Sequence, residues 1–223
     1  GNCKYLVAMG CLVQRYKDDL VKSIPEVDLF ISIDEYDNFW EKIAELINEK
    51  TTSKNTLDYL DRVISTGDTT AYLKIAEGCS NRCTYCAIPY IRGPFVSRKM
   101  EDVLEEAEML AKKGIKELIV IAQDTTKYGI DLYGESRLAE LLDKLCKIDG
   151  FKWIRFLYAY PESITDELID VVKRNDKICK YFDIPLQHFA DKVLKRMNRK
   201  SDSASIRKTI NKIREEIPGV ILR

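Results

Sequence analysis

Short apolar runs alternate with amphipathic helical stretches along almost the whole chain, and this alternation leaves few architectures open. A repeated strand–helix unit returns every strand in the same direction. The product is an α/β fold with a parallel sheet or a partial barrel. Residues 4–10 (KYLVAMG) read as a strand, 12–23 as a helix ended near Pro25, and 28–33 (DLFISI) as a second strand. Phe39, Trp40, Ile43, Leu46 and Ile47 then recur at helical spacing. Two strands are too few for a stable sheet, so further sheet is expected before residue 1. Residues 50–70 are polar and rich in Thr and Ser, which suits a linker with a short helix around 57–63. From residue 71 the alternation resumes. Strands are expected at 71–76, 117–122, 153–158, 180–184 and 219–222. Met100, Val103, Leu104, Ala107, Leu110 and Ala111 share one helical face, with Gly114 as a left-handed stop. Leu138, Leu141, Leu142 and Leu145 mark another helix, Thr165 caps a third, and Ile206, Ile210, Ile213 and Ile217 mark a last one. In such folds the site lies where the strands end.

Charge and cysteine usage narrow the class. The 36 basic and 36 acidic residues cancel, so no general field draws the chain to nucleic acid or membrane. No apolar run is long enough to span a bilayer, and no membrane partner is expected. The chain does not begin with Met, as expected of a trimmed chain, and it shows no signal peptide. Seven cysteines, three of them between residues 79 and 86, fit a disulfide framework poorly. Clustered thiols fit a metal site in a reducing, cytoplasmic setting.

Those three cysteines lie in EGCSNRCTYCAIPY, spaced C-x3-C-x2-C directly after a strand. Three thiolates on one short loop can hold a cubane and leave its fourth iron open for a cofactor or substrate. Gly78, Ser80 and Asn81 suit a loop that wraps tightly. Zinc and inert thiols are the alternatives. Structural zinc prefers paired C-x2-C knuckles and four ligands, and no second knuckle exists here.

The loop, with Tyr85 just before the third cysteine, resembles the radical S-adenosylmethionine (SAM) signature. GCSNRCTYCAIPYIRG with Ser97-Arg98 is similar to the methylthiotransferases in particular. AQDTTKYGIDLYG, LYAYP, DIPLQH and LKRMNR look like the branch that modifies a ribosomal protein, whereas the tRNA-modifying branch usually has Gln-Asn-Val where this chain has Gln123-Asp124-Thr125. The resemblance implies a partial parallel (β/α) radical-SAM barrel preceded by the end of a flavodoxin-like α/β domain. Residues 1–50 would be the C-terminal part of the N-terminal domain, 51–70 a linker, and 71–223 the radical SAM core, truncated at its C-terminal end. It implies a [4Fe-4S] cluster on Cys79, Cys83 and Cys86 that binds SAM. It further implies methylthio transfer to the β-carbon of an aspartate in a small-subunit ribosomal protein, with an electron donor protein as a further partner. Removing hydrogen from such a carbon needs a radical, so the cofactor carries the hard chemistry. Cys11 is by itself a packed turn cysteine. The resemblance makes it one ligand of a second [4Fe-4S] cluster in the intact protein, a cluster this chain alone is not expected to assemble.

Further candidates follow the strand ends. Gln123 and Asp124 are expected to touch SAM or substrate, Gln187 the SAM ribose or amino acid, and Arg196 the SAM carboxylate as a guanidinium fork. The plainer readings are turn polar residues and a solvated helix charge. His188, the one histidine, reads as a loop residue satisfied by neighbours. Cys146 and Cys179 read as structural. Arg92 and Arg98 suit an acidic substrate or solvent equally, and the basic run 192–200 suits a solvated helix face better than ribosomal RNA, leaving direct nucleic-acid binding open. The readings that compete with aspartate methylthio transfer are a tRNA-adenosine methylthiotransferase and a non-catalytic zinc or iron–sulfur structural module.

Overall fold

The computed structural model describes residues 3–50, 59–60 and 62–223. The chain divides into two compact units, one running to residue 61 and taking in Tyr90–Arg92, the other holding the rest. The expected linker and its short helix fall largely on residues outside the described set.

In the first unit, β1 (Val7–Met9) pairs in parallel with β2 (Leu29–Ile31), joined by α1 (Cys11–Ser23). A 3-10 turn at Ile33–Asn38 leads into α2 (Phe39–Ile47). The turn opens with a capping box in which Ser32 and Glu35 satisfy each other's backbone and side-chain groups. Asn48 ends α2 in the left-handed conformation.

The second unit opens with β3 (Thr70–Lys74). The chain continues through β4 (Ala76–Glu77), α3 (Ile88–Arg92), β5 (Val96–Ser97), α4 (Met100–Lys112), β6 (Glu117–Ile121) and α5 (Ile130–Tyr133). Then come α6 (Leu138–Cys146), β7 (Trp153–Phe156), α7 (Asp166–Arg174), β8 (Tyr181–Phe182), α8 (Asp191–Arg196), α9 (Ser203–Glu216) and β9 (Ile221–Leu222). β3, β6 and β7 form a parallel sheet in chain order. The Ile154–Ile178 bridge carries the ladder toward β8, which pairs in parallel with β9. Sequential parallel strands with helical crossovers are the layout of a (β/α) barrel wall.

Alternation along the strands separates the two faces. Ala71, Leu73, Leu118, Val120, Ile154 and Phe156 are buried and join one core with Val103, Ala107 and Leu110 of α4 and Leu138, Leu141, Leu142 and Leu145 of α6. The residues between them, among them Tyr72, Ile119 and Arg155, are partly or fully accessible.

Two local signals read from sequence hold. Gly114 stops α4 with φ 95°. Thr165 caps α7, its hydroxyl accepting from Leu168 N–H at 3.2 Å. Asp166 and Glu167 occupy the first turn of α7, where the helix dipole favours them. The expected strand at 71–76 is broken: β3 ends at Lys74, and Ala76–Glu77 turn aside to pair antiparallel with Val96–Ser97. Arg98 is neither solvated nor free for substrate. Its guanidinium donates to the carbonyl of Lys74 at 2.7 Å and to the fully buried Glu106 at 2.5 Å, while Arg62 approaches the same carboxylate at 3.0 Å. A buried carboxylate persists only with such partners.

Candidate active site

β4 and β5 make a two-stranded ribbon that closes a long loop carrying all three clustered cysteines. The exit from β4 requires glycine: Gly78 has φ 70°, and a Cβ there would sit 2.0 Å from the carbonyl oxygen of Pro94. The close approach is held by Cys79 N–H donating to Gly93 O at 3.1 Å and Phe95 N–H donating to Ser80 Oγ at 3.1 Å. Cys86 N–H returns to Cys83 O at 3.0 Å, so the last two cysteines share one tight turn.

Cys79 and Cys83 are buried and Cys86 is partly accessible. Burial pushes the Cys79 thiol above its ordinary range, and the nearby Asp124 adds to this. Asn81 N–H points at Cys79 Sγ at 3.5 Å. Among the described residues, no three His, Cys, Asp or Glu side chains converge where a single ion could sit. A cluster, by contrast, spreads its thiolates over separate irons. Three thiols on one tight loop, with a backbone donor at one sulfur and a guanidinium at another, suit that kind of group.

A segment far along the chain completes the loop. Thr84 N–H and Oγ1 donate to the carbonyls of Met197 at 3.2 Å and Arg196 at 3.1 Å. Asn198 Nδ2 donates to Arg82 O at 2.9 Å. Arg199 is buried, reaches Cys83 Sγ at 3.9 Å, donates to Pro185 O at 3.0 Å and stacks its guanidinium 4.2 Å above the Tyr160 ring. Among the described residues, Arg199 Nε has no hydrogen-bond partner.

Backbone strain gathers at the same place. Of the five non-glycine residues with positive φ among the described residues, Arg82 lies in the loop, Tyr158 after β7, Gln187 after β8, and Asn198 on the segment that docks on the loop. Only Asn48 is elsewhere, as a helix cap. Such conformations cost about 1–3 kcal/mol each and concentrate where geometry is over-determined for function.

The sequence-predicted residues are distributed as follows. Cys79, Cys83, Cys86 and Tyr85 share the loop, with Tyr85 half-exposed. Gln123 and Gln187 are exposed after β6 and β8, at the same end of the strands. Arg196 is exposed at the end of α8 and meets the loop through its carbonyl. Asp124, expected to touch SAM or substrate, is fully buried and turned toward Asn81. His188 accepts from Ala190 N–H at 2.9 Å, satisfied by a neighbour. In the first unit, Cys11 opens α1, exposed, with Arg92 Nη2 at 3.3 Å from its sulfur. Sequence reasoning did not find Asn81, Lys127, Tyr160 or Arg199 as site residues. Arg199 carried a faint signal as a member of the basic run placed beyond the end of α8.

A cysteine loop at the mouth of a parallel β/α wall defines a class, and the comparisons agree: the pattern of the radical SAM superfamily matches residues 73–223, and the chain belongs to that superfamily. Within it, the chain is 67% identical over 222 residues to the ribosomal protein uS12 methylthiotransferase RimO of Alkaliphilus oremlandii, covering 100% of this chain and 51% of that protein. It is 54% identical to the protein of the same name from Clostridioides difficile, covering 100% of this chain and 52% of that one. The chain thus spans about half the length of the curated relatives it matches. Its fold is similar to that of the cobalamin-dependent SAM radical enzyme OxsB (TM-score 0.69, 14% identity, covering 97% of this chain and 35% of that one). It is also similar to the radical SAM methyltransferase TsrM from Kitasatospora setae (TM-score 0.67, 14% identity, covering 97% and 48%).

Proposed function

We propose that this chain is part of a radical SAM methylthiotransferase that modifies a small-subunit ribosomal protein, adding a methylthio group to an aspartate β-carbon. The observation that carries the reading is the three-cysteine loop at the strand ends, with Cys79 and Cys83 buried, in a chain 67% identical to a protein named for that activity on uS12. Cys79, Cys83 and Cys86 would hold a [4Fe-4S] cluster, with SAM on the open iron. Together these groups supply the one-electron chemistry that removes hydrogen from an unactivated carbon. Tyr85, Gln123, Gln187 and Arg196 would bind SAM around the loop. Arg199, locked beside Cys83, keeps a positive charge there and excludes water from that sulfur.

Residues 1–50 would be the end of an N-terminal domain and 51–70 a linker to the core at 71–223. In the longer protein, Cys11 would be one of the ligands of a second cluster. An electron donor protein would be a further partner, and the cytoplasm the setting. No helix among the described residues is long and apolar enough to cross a membrane.

The test is anaerobic reconstitution of the longer protein with iron and sulfide, followed by SAM cleavage and mass spectrometry of uS12 and of tRNA from a deletion strain. Loss of the uS12 modification with intact tRNA supports the reading; the reverse assigns the tRNA branch. Zinc without iron–sulfur absorption rejects both. Cys83→Ala is expected to abolish SAM cleavage, a loss of more than a hundredfold, while far-UV circular dichroism stays unchanged because the residue lies on a loop.

A further inference from the structure

The loop that carries the cysteines is anchored on one side by the segment ending at Arg199. Its other anchor is a single side chain, Asn81, which stands between Cys79 and Cys83. The Asn81 carboxamide is read at both ends: its Nδ2 donates to Asp124 Oδ2 at 2.8 Å, and its Oδ1 accepts from Lys127 Nζ. Its own N–H is the group that points at Cys79 Sγ at 3.5 Å.

Asp124 is unusually committed for a residue at a strand end. Its exposure is 0%. It spends its other oxygen on Thr126 Oγ1 at 2.5 Å, and Lys127 Nζ stands 3.9 Å away. The adjacent Thr125 fixes this turn to the end of β7, its N–H donating to Tyr158 O at 3.2 Å and its hydroxyl to Leu157 O at 2.8 Å. A buried carboxylate with this set of partners has no room for a ligand, and a charge placed there is costly unless its geometry is used. What it holds is Asn81.

We propose that Asp124, with Lys127, is a positioning residue for the cluster: acting through Asn81, it fixes the cysteine loop, and the donor at the Cys79 sulfur, to the rigid ends of β6 and β7. The inference rests on reading the loop as the cluster's ligand set. Hydrogen bonds to ligating sulfurs, and the groups that aim them, tune an iron–sulfur centre without touching iron. The donor and acceptor roles in the pair can be exchanged. In N81D/D124N the carboxamide introduced at position 124 donates to the carboxylate introduced at position 81. Lys127 then pairs with that carboxylate, and Thr126 still finds an acceptor oxygen.

The experiment is hydrogen–deuterium exchange on the apoprotein of the full chain, comparing wild type, N81A, N81D and N81D/D124N. The readout is the peptide covering residues 78–87, with one covering α9 as reference. N81A and N81D are expected to speed exchange in the loop peptide about tenfold, the population change that follows loss of one hydrogen bond to a charged group. The α9 peptide stays unchanged, and the exchanged pair restores protection. Anaerobic reconstitution then reads the reduction midpoint of the cluster, which is expected to move in the single variants and return in the pair. Unchanged loop exchange in both single variants overturns the proposal. So does α9 exchanging faster in step with the loop, or an exchanged pair no better than N81D. Failure of the wild type to take up iron would instead sink the cluster reading, and the apoprotein exchange data would still decide whether Asp124 anchors the loop.

Discussion

The two units are written in the same strand–helix grammar, yet one hides its apolar residues and the other displays them. In the second unit, each of β3, β6 and β7 sends alternate residues into a core shared with α4, α6 and α7. In the first, the buried apolar residues among those described are Val13, Phe30 and Ile31, whereas Leu6, Met9, Leu12, Tyr16, Val21 and Trp40 are exposed. Within this chain, which spans about half the length of its relatives, two strands cover only part of the apolar faces that periodicity gives α1 and α2. Periodicity specifies the element; the number of strands beside it specifies the core.

The largest expected effect tests that contrast. Phe156 is fully buried and packs edge-on against Phe182, with ring centroids 5.3 Å apart. Phe156→Ala is expected to cost about 3–5 kcal/mol in urea unfolding. Leu12→Ala, at a residue 61% exposed, is expected to cost less than about 0.5 kcal/mol. Similar costs at the two sites would break the comparison. Glu106→Gln comes next, with an expected loss of about 3 kcal/mol, because it leaves Arg98 and Arg62 facing a neutral group inside the protein. A loss below about 1 kcal/mol in the same unfolding assay would show that the pair adds little to the second unit.

The smallest effect belongs to a polar cluster on the surface of the first unit. Lys17 at 2.6 Å, the Ser32 hydroxyl and backbone, and Lys42 at 3.1 Å hold the Glu35 carboxyl well below the usual carboxylate range. Its folded-state pKa lies below its unfolded one, so its stabilisation is complete above the unfolded value of about 4.3 and is lost as the pH falls. The side chain keeps 25% of its exposure, which limits the effect to about 1 kcal/mol. Thermal melts should show Glu35→Gln less stable than wild type at pH 7, with the gap narrowing below about pH 4. A gap independent of pH would remove the ionic account.

Elements with long periodic faces were legible from the residues: α4, α6 and α9 lie where their apolar spacing put them, α7 starts at its Thr165 cap, and Gly114 marks the end of α4 as expected. The break between β3 and β4 was not legible, because the pairing of Ala76 with Ser97 depends on a partner across the cysteine loop and leaves no local pattern. The same holds for the candidate site. Cys79, Cys83 and Cys86 announce themselves by spacing. Asn81, Asp124 and Arg199 become meaningful only when separate strand ends are brought together, and Asp124 reads in sequence as a polar turn residue although it is entirely enclosed.

The contacts between the loop and Arg196, Met197, Asn198 and Arg199 also set an order of events during synthesis. Arg82 and Asn198 are separated by 116 positions. At translation speeds of about 5–20 residues per second, the ribosome needs on the order of ten seconds to make the second after the first. Throughout that interval the nascent thiols lack the brace that shapes their turn. The loop therefore takes its finished shape only after α8 and the segment to Arg199 have left the exit tunnel.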